Sequence, residues 1–307
     1  MATDKPLISI LMAVYEPRMD WLKEQLDSLN AQTYPNLRLY VRDDCSPTVP
    51  FEKIGELVSE CITAFPYSIE RNKNNLGSNG TFELLTREAE GEYFAYCDQD
   101  DVWLPEKLAV LREKFERERG VLAYSDVSVV GENGETIANS LKNIRPRLQY
   151  VSGRGLAETY FFRNCTAGCT MLISAEIARA AVPFLEQTVC DQWLTITAAN
   201  KGAIVFVRET LVKYRQHKHN QTGILRGVTD KRSYYKERLT PLIERLSRYQ
   251  QAFGTDERLS AFVEARLQGN TAQIWKYREL SPMEAKFEIA MHYIPDSLFR
   301  RIVRKLV

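Results

Sequence analysis

The sequence predicts an α/β fold: a mostly parallel central sheet with helices on both faces, and a helical extension at the C-terminal end. Strand-like and helix-like segments alternate through the first half, the pattern of parallel strands joined by crossover helices. The first strand, Leu7 to Val14, is apolar at every position but Ser9 and so reads as buried on both faces. From about Thr229 only helical patterns rich in Arg, Glu, Tyr and Leu remain, which divides the chain into a domain over residues 1–228 and a helical region over 229–307.

The elements follow in order. Pro17 marks a turn, and Trp21, Leu22, Gln25, Leu26 and Leu29 keep helical spacing until Tyr34-Pro35-Asn36 breaks it. Leu37 to Val41 is a second strand ending in Arg42-Asp43-Asp44-Cys45-Ser46-Pro47, and a helix over about Phe51 to Ala64 leads to a third, Tyr67 to Glu70. The turn-forming loop Asn72 to Gly80 precedes a helix near Thr81 to Glu90. Gly91 stops that helix, and a fourth strand, Tyr93 to Tyr96, delivers Cys97-Asp98-Gln99-Asp100-Asp101-Val102-Trp103. Pro105 opens a helix to about Arg117, a position where its missing N–H costs nothing. A strand over Val121 to Val130 follows, then a long loop from Asn139 to Asn164, of a kind that is usually functional inside a compact domain. Gly168 to Ile173 is a strand, Ser174 suits a helix N-cap, and Cys190-Asp191-Gln192-Trp193 opens a further helix ending at Lys201-Gly202. Two short strands, Ala203 to Val207 and Leu211 to Tyr214, lead into Arg215-Gln216-His217 and the polar run that continues to Gly223.

Composition narrows the function. A chain of 307 residues with 44% apolar and 26% charged residues is ordinary for a soluble globular protein. The net charge of +1 supplies no electrostatic footprint for nucleic acid. Six cysteines without C-x-x-C spacing or a secretory leader predict reduced thiols in a cytoplasmic protein, and Cys165, Cys169 and Cys190 lack the spacing of a zinc site. No apolar run reaches the length of a membrane span.

Three acids within four residues, Asp98, Asp100 and Asp101, repel one another unless a cation neutralises them, and hard divalent metals take oxygen ligands of this kind. They stand at the end of a strand, where open α/β sheets bind ligands, together with the loops after Val14 and at Asp43-Asp44. That edge offers Tyr15 for stacking and Asp44 as an acceptor for a base N–H, beside acids suited to a metal-bound diphosphate. Neither G-x-x-x-x-G-K-[ST] nor G-x-G-x-x-G follows the first strand, which argues against a kinase or a dinucleotide dehydrogenase. A nucleotidyltransferase would need a glycine- and lysine-rich phosphate loop there, and Val14-Tyr15-Glu16-Pro17-Arg18 does not supply one.

Ile10-Leu11-Met12-Ala13-Val14-Tyr15, Arg42-Asp43-Asp44-Cys45-Ser46, and Asp98-Gln99-Asp100 with Trp103-Leu104-Pro105-Glu106-Lys107-Leu108 resemble the ordered motifs of family 2 glycosyltransferases with the GT-A, Rossmann-like fold. The resemblance covers about the first 220 residues. It implies an inverting enzyme using a nucleotide-diphosphate sugar and a divalent cation, Mg²⁺ or Mn²⁺. Asp98-Gln99-Asp100 matches the family's D-x-D, with Asp100 on the metal and Asp98 in support. Asp44 matches the base contact, Ala13, Tyr15 and Glu16 line the same pocket, and Asp101 is a helix-entry or sugar-side contact. Asp191 matches the general base, although Cys190 stands where the commoner pair has Glu. An acid at a helix N-terminus is also simply stabilising. Gly168, Cys169 and Trp193 fall on the acceptor side, with Cys169 suited equally to packing. Arg215-Gln216-His217 and Asn220 to Gly223 are similar to the segment that closes over the diphosphate in rhamnosyltransferase-like members. His217 there is either a metal or phosphate contact or a surface histidine. Asn75, Gly77 and Asn79 match a loop near the nucleotide, and they equally suit a plain turn.

The resemblance leans towards dTDP-L-rhamnose as donor, with UDP-hexoses and UDP-N-acetylhexosamines as alternatives, and towards a glycan or lipid-pyrophosphate-linked acceptor. A catalytically silent nucleotide-sugar or glycan-binding module on the same fold is the competing reading, and the intact Asp98, Asp100 and Asp191 argue against it. Near the C-terminal end, Leu298, Phe299, Ile302, Val303 and Leu306 fall on one face of a helix and Arg300, Arg301, Arg304 and Lys305 on the other. Such a helix suits either a peripheral contact at the inner face of the cell membrane or docking on its own domain or a dimer partner.

Overall fold

The structure, a computed structural model, describes residues 5–217 and 227–306. The run from Lys218 to Gly223 and the side chains of Lys305 and Leu306 lie outside the described residues. Two compact units emerge, one of residues 1–160, 164–184 and 189–217, the other of 161–163, 185–188 and 218–307.

The first unit is built on a sheet. Strand β1 (Ile8–Val14) lies between β2 (Leu37–Asp43) and β4 (Tyr93–Cys97), parallel to both, and β3 (Tyr67–Arg71) extends the parallel set beyond β2. Ile8, Ile10, Leu11, Met12 and Val14 are all fully buried, as an apolar run enclosed on both faces requires. Helix α1 (Met19–Asn30) buries Trp21, Leu22, Gln25, Leu26 and Leu29, the spacing expected of one apolar stripe, and α2 (Phe51–Cys61) buries Ile54, Val58 and Cys61. Helix α3 (Gly77–Glu88) starts about one turn earlier than its apolar pattern suggests, so that Gly77 and Asn79 belong to its first turn. The chain runs outward from β1 through β2 to β3 and then returns to place β4 on the other side of β1. The C-terminal ends of β1 and β4 are therefore a topological switch point, where ligands bind in open sheets.

Beyond β4 the sheet is mixed. The two-residue β5 (Val102–Trp103) leads to α4 (Lys107–Arg117), and β6 (Gly120–Val130) pairs with the short β7 (Thr136–Ala138). The stretch expected as one loop holds two short helices, α5 (Leu141–Ile144) and α6 (Ala157–Phe162). A 3-10 turn over Gly168–Thr170 takes the first half of the expected strand there, leaving β8 (Met171–Ser174) antiparallel to both β4 and β6. Helices α7 (Ala175–Ala180) and α8 (Cys190–Lys201) follow. The two short strands expected after α8 are one, β9 (Ala203–Arg215), parallel to β6. Val207 pairs with Ser125 and Thr210 with Asp126, so Arg208 and Glu209 bulge outward, and their exposed charges look like a break in the sequence.

The second unit is helical: α9 (Lys231–Tyr234), α10 (Pro241–Phe253), α11 (Glu257–Gln268), α12 (Thr271–Lys276), α13 (Pro282–Tyr293) and α14 (Asp296–Leu306). Phe262, Ala265, Ile274, Leu280 and Ala285 form its core. A buried ion pair, Arg266 to Glu288 at 2.7 Å, lies in the same unit, with the Tyr234 hydroxyl donating to Glu288 at 2.9 Å. On α14 the apolar face is turned inward: Phe299 and Val303 are buried, and Phe299 packs against Tyr234 and Phe287. No described helix is long and apolar enough to cross a membrane.

Candidate active site

The loops after β1, β2 and β4 meet at the switch point and are tied to one another. Gln99, the middle residue of the acidic motif, clamps the backbone of Tyr15: its Oε1 accepts the Tyr15 N–H at 2.7 Å and its Nε2 donates to the Tyr15 carbonyl at 3.0 Å. The Tyr15 ring is left exposed, and Ala13 beside it is half-buried. Glu16 adopts a left-handed backbone with φ 45°, and its carboxylate accepts the N–H groups of Thr48 and Val49 and the Thr48 hydroxyl. Those bonds, led by the Thr48 hydroxyl, hold its carboxyl below the usual range. Glu16 thus fastens the loop after β2, and its carboxylate is spent on that task.

Asp44 is 3% exposed and accepts from Asn72 Nδ2 at 2.8 Å, the Leu76 N–H at 2.7 Å and the Gly77 N–H at 2.8 Å. Asn75 accepts the same Gly77 N–H at 3.1 Å, and Gly77 sits at φ 71°, which glycine adopts without strain. Asn75 and Gly77 therefore form the turn that wraps Asp44. Asn79, two residues further along α3, accepts the Cys190 N–H at 3.0 Å at the start of α8.

The acidic loop is organised by β9. Asp101 is buried, its Oδ1 accepting the Arg215 N–H at 3.0 Å, while its Oδ2 is buried without a hydrogen-bond partner. The buried Arg215 side chain bonds the Asp100 carbonyl at 2.9 Å and the Glu132 carbonyl at 3.1 Å, and pairs with Glu24. Two residues later His217 Nε2 meets Asp100 Oδ2 at 2.7 Å, with its ring 5.0 Å from that of Trp21. Asp98, Asp101 and Cys169 each bring one potential ligand atom within 4.8 Å of the others. Burial, then the neighbouring Asp100 and Asp191 carboxylates, push Asp98 up to about 7. Burial, then Asp100 and Asp98, push Asp101 well up. Lys107 is the cation beneath them. It is fully buried, donates to the Cys169 carbonyl at 2.6 Å and lies 2.9 Å from the centroid of the Trp103 ring, and burial lowers it to about 7.

Asp191 stands in the first turn of α8, half-buried, with Asn164 Nδ2 donating to its Oδ1 at 2.8 Å and the Gly168 N–H to its Oδ2 at 3.3 Å. Burial raises its carboxyl to about 6, against the lowering effect of these bonds. Two residues expected on the acceptor side have other surroundings. Trp193 is 1% exposed and donates its indole N–H to the Ala181 carbonyl, so it packs beneath α8 instead of presenting a surface. Cys169 is also buried, its thiol pushed up by burial and the Asp101 and Asp98 carboxylates.

Gln99, Lys107 and Asn164 stand at the site without having been singled out. Gln99 had one signal, its place between two acids. Lys107 lay in the motif from Trp103 to Leu108 without a role of its own, and Asn164 had no signal, because a loop asparagine is ordinary until the chain is folded.

The sequence model of the family described as Glycosyl transferase family 2 matches residues 9–175. The chain belongs to glycosyl transferase family 2. Among family relatives, an uncharacterized glycosyltransferase of Methanocaldococcus jannaschii is 28% identical over 218 residues, covering 69% of this chain and 71% of that protein. The UDP-Glc:alpha-D-GlcNAc-diphosphoundecaprenol beta-1,3-glucosyltransferase WfgD of Escherichia coli is 25% identical, covering 69% of this chain and 78% of that one. The crystal structure of S. aureus TarS 1-349 in complex with UDP-GlcNAc superposes with a TM-score of 0.57 at 16% identity, covering 93% of this chain and 86% of that one. The chain spans about half, 52%, of a longer TarS crystal structure. The fold is GT-A, with a helical C-terminal region.

Proposed function

We propose that this chain is an inverting, metal-dependent glycosyltransferase acting in cell-surface polysaccharide synthesis. It would move a sugar from a nucleoside-diphosphate donor to a hydroxyl of a glycan or a lipid-pyrophosphate-linked acceptor. The observation that carries the reading is Asp191: a carboxylate on α8 lies close enough to the acidic loop after β4 to raise Asp98, with the Gly168 N–H at 3.3 Å from its Oδ2. Inversion by single displacement needs this pairing, an acid loop at the departing diphosphate and a separate base at the acceptor.

The donor atoms at the loop fit Mg²⁺ or Mn²⁺. Asp98 and Asp100 supply hard oxygens, the Asp101 Oδ2 stands buried beside them without a hydrogen-bond partner, and His217 supplies a nitrogen beside Asp100. The buried, protonated Cys169 thiol is the poorest donor for a hard cation. When bound, the ion offsets the charge that grows on the departing diphosphate. Tyr15 would stack on the base. Asp44 would accept a base N–H, since a carboxylate accepts about four hydrogen bonds and three are in use. Asp191 would take the proton of the acceptor hydroxyl.

For the donor, the relative named for UDP-Glc and the TarS complex with UDP-GlcNAc support UDP sugars alongside dTDP-L-rhamnose. The diphosphoundecaprenol acceptor in the WfgD name supports a lipid-linked acceptor, met at the inner face of the membrane. Nucleoside diphosphate release from dTDP-L-rhamnose, UDP-glucose, UDP-galactose and UDP-GlcNAc with Mn²⁺ tests the reading. Asp191→Asn should keep calorimetric donor affinity and lose release by about 100-fold or more. Asp100→Ala should lose Mn²⁺-dependent donor binding. Full turnover by Asp191→Asn would rule Asp191 out as the base.

A further inference from the structure

Asp191 is held by a closed ring of hydrogen bonds whose directions can be read. Thr195, one turn along α8, donates its hydroxyl to the Asp191 carbonyl at 2.7 Å. Its Oγ1 is 2.6 Å from Thr166 Oγ1, and with its own proton spent it must accept from Thr166. The Thr166 N–H points to Asn164 Oδ1 at 3.3 Å, which fixes the acceptor side of that amide. The NH₂ side of Asn164 then faces Asp191, and Nδ2 donates to Oδ1 at 2.8 Å. Thr166 and Thr195 are buried and anchor the ring from inside, while Asn164 itself is exposed and carries its bond to Asp191 at the surface. An asparagine amide whose orientation the network dictates cannot serve Asp191 by its carbonyl.

We infer that Asn164 is the positioning residue for Asp191: it occupies Oδ1, keeps the carboxylate ionised, and leaves Oδ2 to take the proton of the incoming hydroxyl. The inference rests on the reading of Asp191 as general base. The carboxylate stands near Asp98 of the loop after β4 and Cys190 of its own helix, among the described residues no side-chain cation bonds it, and burial presses it towards its neutral form. A donor committed to Oδ1 opposes that pressure. The Gly168 N–H, at 3.3 Å from Oδ2, is the weaker partner and yields to a substrate hydroxyl at low cost.

Two readouts test this. The Asp191 carboxyl is titrated by carbon NMR in the metal-free chain, and nucleoside diphosphate release is followed against pH with Mn²⁺ and UDP-glucose, UDP-GlcNAc or dTDP-L-rhamnose in turn. Asn164→Ala should raise the Asp191 midpoint by about one pH unit, the worth of one hydrogen bond to a charged group. It should lower kcat about fivefold near pH 6 and about tenfold near pH 5, with donor KM within about twofold. Asn164→Asp keeps the shape, guards against a folding defect in the alanine variant, and should move the midpoint further. A midpoint unmoved in both variants overturns the positioning role, and a donor KM that rises with falling kcat does so too. Asp191→Asn run beside them separates the two ideas: if it still turns over, the base assignment itself falls.

Discussion

At Asp191 burial raises the carboxyl to about 6, while Asn164, the Gln192 N–H and the Gly168 N–H pull the other way. A general base works in its ionised form, so the sign follows directly: activity is present above the raised value and is lost as pH falls through it. Release should drop to about half near pH 6 and by about tenfold at pH 5, read as the acid limb of kcat. A limb below pH 5 would mean that the base is another group. The acids were singled out in the sequence, since three within four residues repel one another without a cation, and Asp191 was singled out through the motif around it. Their partners were not. Lys107 becomes the counter-charge of the cluster only when α4 places it under Cys169, and Trp193, two residues after Asp191, lies on the opposite side of α8 and points into the core. Helical spacing turns residue i+2 away from residue i, so with Asp191 towards the site Trp193 falls on the packed side.

Elements explain why the acidic loop holds its shape. Three parallel strands bring their C-terminal ends together, and apolar runs bounded by turn formers marked all three in the sequence. Strand β9 comes from a distant part of the chain, and its last residue, Arg215, ties the loop down through the Asp101 carboxylate, the Asp100 carbonyl and the Glu132 carbonyl. The bulge at Arg208 and Glu209 hid the continuity of β9, because outward charges in mid-strand look like a turn. Arg215→Met removes the side-chain donors and leaves buried carbonyls unpaired, at about 1–3 kcal/mol for such a group. Urea unfolding should show a loss of that size, with weakened Mn²⁺-dependent donor binding. Arg215→Lys should not restore either, since an ammonium cannot reproduce the guanidinium fork. Unchanged donor binding in Arg215→Met would separate β9 from the organisation of the loop.

On the scale of the whole molecule, the sequence does not show which helices of the C-terminal region close on themselves. The amphipathic pattern of α14 fits a membrane surface and a protein interior equally, because both ask only for an apolar stripe. In the second unit that stripe has partners: Phe299 and Val303 are buried, and Phe299 meets the rings of Tyr234 and Phe287. Arg300 bonds Asp296 at 2.7 Å on the same helix and lies 3.7 Å from Asp230, which orients the polar face by charge. Among the described apolar residues of this helix only Leu298 is exposed, at 43%, too little surface for stable insertion of the helix without undocking it. Phe299→Ala should therefore destabilise the helical unit by about 3–5 kcal/mol, as removal of a buried aromatic ring does. Leu298→Ser, on the exposed side, should cost less than about 0.5 kcal/mol. Both are read by urea unfolding followed through tryptophan fluorescence, Trp275 reporting on this unit. If α14 worked by inserting its apolar face into lipid, the order would invert: Phe299→Ala would leave unfolding unchanged and would abolish binding to anionic vesicles.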